Sequence, residues 1–486
     1  MKYFSKWLLL LLVFSLAFSC FVSCDSLLSG GNTDEDTNEA ETDLKPDIEQ
    51  KNYNKEFYLW IMDDTNKPSY HWVEKSDGDV LSEAIYQRQQ RVYEHIGVEI
   101  IGTVRYENYL TYTEPFKTAV KNKDGSVDMM LCHNFSGVPS LVSESYLTDI
   151  SNLPGIDLGA DYWNQQFMED LSIADRYYLG FSDFNILYTH VITFNKTMMD
   201  QYASALPKSV YDMVRSYEWT IDQMISLAQL VSIDRTGDGK TADDTFGITG
   251  RHMNEFPGFL HASNINIVEK DESGKYTVAL MNSLYAEKTS ALVDKLLALS
   301  DSSCSYFDYN TTTELTIPLT SGRTLLHITP TLSLAGYLQH DVAFGVLPYP
   351  LWDTDQKDVG YRHLQWGGYI TVPAYLSDED MTGETLELLA YYSEDVKTAY
   401  YEKMLGKQVA DAPDDREMLS IVWDTVCTDF AQTYGGDLCG SDLLYLMAKV
   451  TDPNSSMNLA SSVASMQRTA NRAIATFITK VENKKD

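Results

Sequence analysis

Three short apolar runs, each separated from the next by a helical stretch, constrain this chain more than any other feature. Phe57-Tyr58-Leu59-Trp60-Ile61-Met62 is unbroken, as a strand buried on both faces must be. In the helix that follows, Leu81, Ile85, Val92 and Ile96 recur on one face, and Gly97 stands where a left-handed last residue is wanted. Val98-Glu99-Ile100-Ile101 is the second strand. After a helical stretch from Tyr112 to Val120, Val127-Asp128-Met129-Met130-Leu131 is the third. Strand, helix, strand, helix, strand predicts a parallel α/β layer.

The pattern returns later. His190-Val191-Ile192-Thr193-Phe194 is strand-like, as are Arg323 to Ile328 and Val342 to Val346. Helices are expected from Met198 to Tyr202, Trp219 to Val231, Ser283 to Leu299, Thr385 to Lys403 and Ser462 to Val481. The chain has 486 residues, more than one core usually serves, so two lobes are expected.

The N-terminus is of another kind. Lys2 and Lys6 precede an apolar run from Trp7 to Phe18, which ends in small residues and cysteine. This is the make-up of an export signal, with a polar segment after it and too little length to span a bilayer comfortably. The cysteines resemble the lipobox of bacterial lipoproteins. Cys24, after Val22-Ser23 and before Asp25, is the expected lipidation site, with Cys20 as the alternative. Two acyl chains anchor durably where one does not. The plain alternative is an ordinary secretory signal. Residues 24–52 carry Asp34, Glu35, Asp36, Glu39, Glu41, Asp43, Asp47 and Glu49 with few large apolar groups, so a disordered, self-repelling tether is expected there.

Net charge is -33, from 37 basic and 70 acidic residues. Phosphate backbones need lysine and arginine to neutralise them, which excludes nucleic acid as a partner. Beyond the signal, the cysteines are Cys132, Cys304, Cys427 and Cys439. Cys427 and Cys439 are near enough in sequence to bridge, but spacing alone leaves free buried thiols equally open.

Several segments together resemble an extracellular solute-binding protein of a bacterial sugar ABC importer. Tyr93-Glu94-His95-Ile96-Gly97-Val98 is similar to the end of that family's first helix. Val127-Asp128-Met129-Met130 with Ser145-Tyr146-Leu147-Thr148-Asp149-Ile150, and Thr193-Phe194-Asn195-Lys196, resemble its next motifs. Glu218-Trp219-Thr220-Ile221-Asp222, the glycine-rich loop Asp234 to Ile248, Ser321 to Leu326, Val342 to Pro350 and Gln365-Trp366-Gly367-Gly368 follow in the family's order. The resemblance covers nearly all of the mature chain.

It implies a type II, two-lobed α/β fold with parallel-rich sheets and a ligand cleft between the lobes. The expected parts are a signal at 1–23, a tether at 24–52, one lobe at 53–185 plus about 320–350, and another at 186–319 plus about 351–482. Chain passages between lobes are expected near Gly180 to Thr193, Leu315 to Arg323 and Pro350 to Gly368. The implied partners are a carbohydrate and ABC permease subunits, with the protein a monomer on the outer face of the cytoplasmic membrane. No cofactor is required.

Ligands of open α/β sheets lie beyond the carboxyl ends of the strands. Sugars need aromatic faces for their C–H groups and paired polar side chains for their hydroxyls. Those two rules select Asp64, Trp72, His133, Asn134, Asp183, Phe256, Thr331, Trp366 and Tyr369, with Trp72 and Trp366 foremost. A surface-loop or core role competes for each one. Asp234, Thr236, Asp238, Lys240 and Asp244 alternate around glycines as Ca²⁺ ligands do, but Thr236 and Thr245 stand where acids are usual, so a plain acidic turn competes. No hydrolase or dinucleotide fingerprint is present. A glycan-degrading enzyme, a sensory subunit, and a binder of peptides or polyamines remain as alternatives.

Overall fold

The computed structural model describes residues 45–62, 70–105, 111–271, 273–309, 317–406 and 413–484. The signal, Cys20, Cys24 and most of the expected tether lie outside these residues. The tether's last part does not. Ile48 is buried, His95 Nε2 pairs with Ile48 O at 2.9 Å, and Lys51 bridges Glu384 at 2.7 Å. Residues 45–52 are therefore part of the body, because one apolar side chain and two specific polar contacts offset the cost of ordering them.

The first sheet has the order β13-β3-β1-β2. It contains β1 (Lys55–Met62), β2 (Val98–Arg105), β3 (Met129–Cys132) and β13 (Tyr369–Thr371). β1 is parallel to β2 and β3, and β13 returns antiparallel to β3. Phe57, Leu59, Ile61, Met129 and Leu131 are buried in one core with Val92 and Ile96 from α1 (Val80–Ile96). Asp79 caps α1 by accepting from Leu81 N and Ser82 N, and Gly97 ends it at φ +67°.

The second sheet runs β11-β4-β10-β6-β5, with β9 also on β6. Its strands are β4 (His190–Asn195), β5 (Ser232–Ile233), β6 (Thr245–Arg251), β9 (Ser305–Asp308), β10 (Thr324–Pro330) and β11 (Phe344–Leu347). β10 and β9 are parallel to β6, while β4 runs antiparallel to β10 and β11. This corrects the expected division. Residues 324–330 and 344–347 pair with β4 and β6, so these strands, expected in the first lobe, belong with the second sheet, while the passage expected near Leu315 to Arg323 falls partly outside the described residues. Residues 369–371, expected in the second lobe, close the first sheet.

Two small pairs complete the strands: β7 (Val268–Lys270) with β8 (Tyr276–Val278), and β12 (His363–Leu364) with β14 (Val426–Cys427). The helix expected from Thr385 to Lys403 is two, α2 (Glu379–Tyr391) and α3 (Glu394–Leu405). They part at Ser393, whose hydroxyl turns back to Leu389 O at 2.6 Å. The chain closes with α4 (Pro413–Asp424), short helical turns and α5 (Leu459–Glu482). Cys427 and Cys439 are free thiols. Among the described residues no helix is long and apolar enough to cross a membrane.

Candidate functional site

β3 ends at Cys132, and His133-Asn134-Phe135 continue from it. β13 pairs Tyr369 with Cys132, which brings Gly367 against His133: a Cβ on Gly367 would lie 3.0 Å from His133 Cδ2. Trp366 therefore sits beside the end of the first sheet. Its ring also meets His190 edge-on at 5.8 Å, and His190 opens β4 opposite Pro330, the last residue of β10. Trp366 thus lies between the carboxyl ends of strands from both sheets.

Beyond it, the ends of β6 and β10 frame a cavity of about 360 Å³ whose lining includes Arg251, Glu255, His327, Thr329, Leu332 and Tyr337. Thr329 Oγ1 and Tyr337 OH share a hydrogen bond at 2.7 Å, and His327 Nδ1 pairs with Thr249 Oγ1 at 2.8 Å. Glu255 is buried and accepts from Arg251 N at 2.6 Å. Burial pushes its carboxyl well above the usual range. Burial, with the nearby Arg251 charge, lowers His190 to about 3 and His327 to about 4. Burial alone lowers His133 to about 4. Burial thus disfavours the charged forms of this acid and these rings, whose polar atoms suit hydroxyls.

On the other side, His133 contacts Phe135 at 5.5 Å, and Phe135 stacks on Tyr445 at 6.4 Å and 23°. Both of these rings are half-buried. Asn134 Nδ2 donates to Gln432 O at 3.3 Å, while Asn134 Oδ1 and Gln432 Nε2 are buried without a hydrogen-bond partner. Gln432 belongs to a π-helical turn, Ala431–Gly435, a feature that recurs at functional sites.

The structure thus gathers His133, Asn134 and Trp366, with Tyr369 and Thr331 close by as supports. Tyr369 is fully buried, its hydroxyl accepting from Thr433 Oγ1 at 3.1 Å. Thr331 is also buried and donates to Leu187 O at 2.9 Å. Phe256 is core, packed on His252 at 3.9 Å and Phe307 at 4.9 Å. Asp183 faces Trp423 and Lys397, on α4 and α3, and burial raises its carboxyl to about 6. Trp72 covers the free edge of β2, donating to Ile100 O at 2.8 Å, two strands away from β3. Asp64 lies outside the described residues.

Phe135, Tyr445, His190, Arg251, Glu255 and His327 were not selected from sequence. Phe135 had a signal, since it follows two selected residues in one loop. Tyr445 had none, because its partner is more than three hundred residues away.

In the glycine-rich loop, ligand atoms of Asp234, Asp238 and Asp244 lie within 4.8 Å of one another. Asp234 already accepts from Thr236 N at 3.2 Å and Gly237 N at 2.6 Å, and Asp244 from Arg235 N and Thr241 N at 2.8 Å each. Thr236 Oγ1 donates to Asp238, and Lys240 Nζ reaches out to Ser302 O at 2.9 Å.

No family model matches the chain, and no curated protein sequence does. Solved structures do. The galacto-N-biose/lacto-N-biose I-binding protein of the ABC transporter from Bifidobacterium longum matches with TM-score 0.57 at 12% identity, over 87% of this chain and 97% of that one. The GacH receptor of Streptomyces glaucescens matches at 0.52 and 15%, over 89% and 99%. The maltose-binding protein MalE of Listeria monocytogenes, in complex with maltose, matches at 0.51 and 13%, over 89% and 99%. The chain has the two-lobed α/β fold of these binding proteins.

Proposed function

We propose that this chain captures a carbohydrate, an oligosaccharide by preference, outside the cell and delivers it to an ABC-type permease. One observation carries the reading. Trp366 and the Phe135–Tyr445 stack flank strand ends of the kind beyond which ligands of open α/β sheets lie, beside a polar cavity in which burial disfavours the charged forms of Glu255 and His327. Flat apolar faces with neutral hydrogen-bonding groups suit polyhydroxylated rings. The likeness in fold to proteins solved with lacto-N-biose and with maltose supports the same class of ligand.

Capture proceeds by hinge closure, in which the ligand favours the closed state through contacts made only there. It consumes nothing and needs no cofactor; a structural Ca²⁺ would have Asp234, Asp238 and Asp244 as its ligands. The body works as a monomer, tethered through Cys24, or Cys20, to the outer face of the cytoplasmic membrane.

A thermal-shift screen of residues 45–486 against maltotriose, lacto-N-biose, amino acids and spermidine tests this. A ligand of the folded state raises Tm with concentration. A rise with a glycan that chromatography then recovers intact is the expected result. Glycan breakdown would make the protein an enzyme, and a rise with spermidine or amino acids alone would remove the sugar.

A further inference from the structure

Two passages of chain, residues 180–190 and 363–370, run between the sheets. At one end both are fixed to the first sheet. Gly180 and Ile370 exchange backbone hydrogen bonds at 2.8 and 2.9 Å, and β13 pairs with β3. At the other end both are fixed away from it. His190 opens β4, Thr189 Oγ1 donates to Leu364 O at 2.7 Å, and β12 pairs with β14. Between these anchors lie residues 181–188 on one passage and 365–368 on the other.

In that gap Trp366 N donates to Tyr188 O at 2.8 Å, and side chains join the passages further. Gln365 is fully buried. Its Oε1 accepts from Tyr188 N at 3.0 Å, and its Nε2 donates to Ile186 O and Gly367 O at 3.1 Å each. Asn185 Oδ1 accepts from Ser182 N at 2.8 Å, and its Nδ2 donates to Gly368 O. Gly367 and Gly368 stand at φ +89° and +78°, a region that side-chain-bearing residues avoid. Regular pairing restrains the chain on either side of this gap. Rotation of one sheet against the other falls on the few residues that are in no sheet, which is where hinges absorb it.

We propose that Gln365 is the positioning residue of the hinge. Its amide keeps the two passages in one register while Gly367-Gly368 turn, and Trp366, held between Gln365 and the glycines, moves with that turn. The inference rests on the capture reading, but its test needs no ligand.

Two variants of the protein are compared with wild type by small-angle X-ray scattering without ligand. Gln365→Met keeps length and burial without the hydrogen bonds. Gln365→Glu keeps shape but loses both donors. The expected result is a rise in radius of gyration in each variant, with unchanged far-ultraviolet circular dichroism. A merely structural role would lower Tm and leave the scattering alone. Scattering equal to wild type in the variants that fold would overturn the proposal; if Gln365→Glu does not fold, Gln365→Met decides. Failure of every sugar to bind would instead sink the capture reading and leave the scattering result standing.

Discussion

Trp163 donates its indole N–H to Glu387 Oε2 at 2.9 Å, joining residues 224 positions apart. Tyr162 OH donates to the other oxygen at 2.5 Å, and Asp157 N to Oε2 at 3.3 Å. One carboxylate on α2 thereby fixes the segment that leads into the first passage. Trp163 and Glu387 are both buried.

Glu387→Ala leaves a buried indole and phenol without partners. An unsatisfied buried donor costs about 1–3 kcal/mol, so a loss of about 3 kcal/mol is expected. Glu387→Gln keeps one acceptor and should cost less. Urea midpoints at constant slope measure both; an Ala variant as stable as wild type would show that the segment finds other partners.

Arg88 presents the opposite case. It is fully buried and stacks on Phe184 at 4.4 Å, donating to Ser393 Oγ at 2.9 Å and His71 O at 2.5 Å. Among the described residues no carboxylate pairs with it. Burial pushes its guanidinium down to about 9. A buried charge without a counter-charge is a poor source of stability, and an apolar side chain of similar volume often does as well. Arg88→Met should therefore change stability by less than about 1 kcal/mol, while Arg88→Ala, which opens a cavity, should cost about 3 kcal/mol. Equal losses in both variants would mean that the charge itself matters.

Acid sensitivity follows from the buried imidazoles. His363 is buried, accepts from Tyr349 N at 3.0 Å, and is lowered by burial to about 3. An unfolded histidine titrates near 6.5, so below that value the unfolded chain binds the proton and the folded one does not. The contribution of His363 is present above about pH 6.5 and lost as the pH falls toward its folded value. His363→Gln removes this group. The gap in stability between wild type and variant should shrink as pH falls from about 6.5 to about 4. A gap that stays constant would place the proton elsewhere.

Local chemistry made much of the fold legible. Continuous apolar runs marked β1 and β3, Gly97 marked the end of α1, and the Trp366-Gly367-Gly368 turn marked the later passage. The division between lobes was not legible. Whether Thr324–Pro330 joins one sheet or the other depends on partners at Phe246 and Phe194, and no local pattern records them. The candidate site was half legible for the same reason. His133, Asn134 and Trp366 follow strand ends or flank glycines, whereas Arg251 and Glu255 gain their place from β10, far along the chain. Trp72 had the composition of a sugar-stacking residue, and the position of an edge cover.

The two tryptophans now separate cleanly. Trp366 stands between the sheet ends at 5.8 Å from His190, whereas Trp72 spends its N–H on Ile100 O and its ring on Gly102. Trp72→Ala should expose the free edge of β2 and cost about 2 kcal/mol, less than a fully buried aromatic would, with sugar affinity unchanged. Trp366→Ala should lower the midpoint too, since the ring is buried, but the fold should survive and glycan binding should be lost. Calorimetry with whichever glycan raises Tm, beside urea denaturation of both variants, reads the two effects apart. Retained affinity in Trp366→Ala would remove that ring from the site, and lost affinity in a folded Trp72→Ala would move the site to the outer edge of the first sheet.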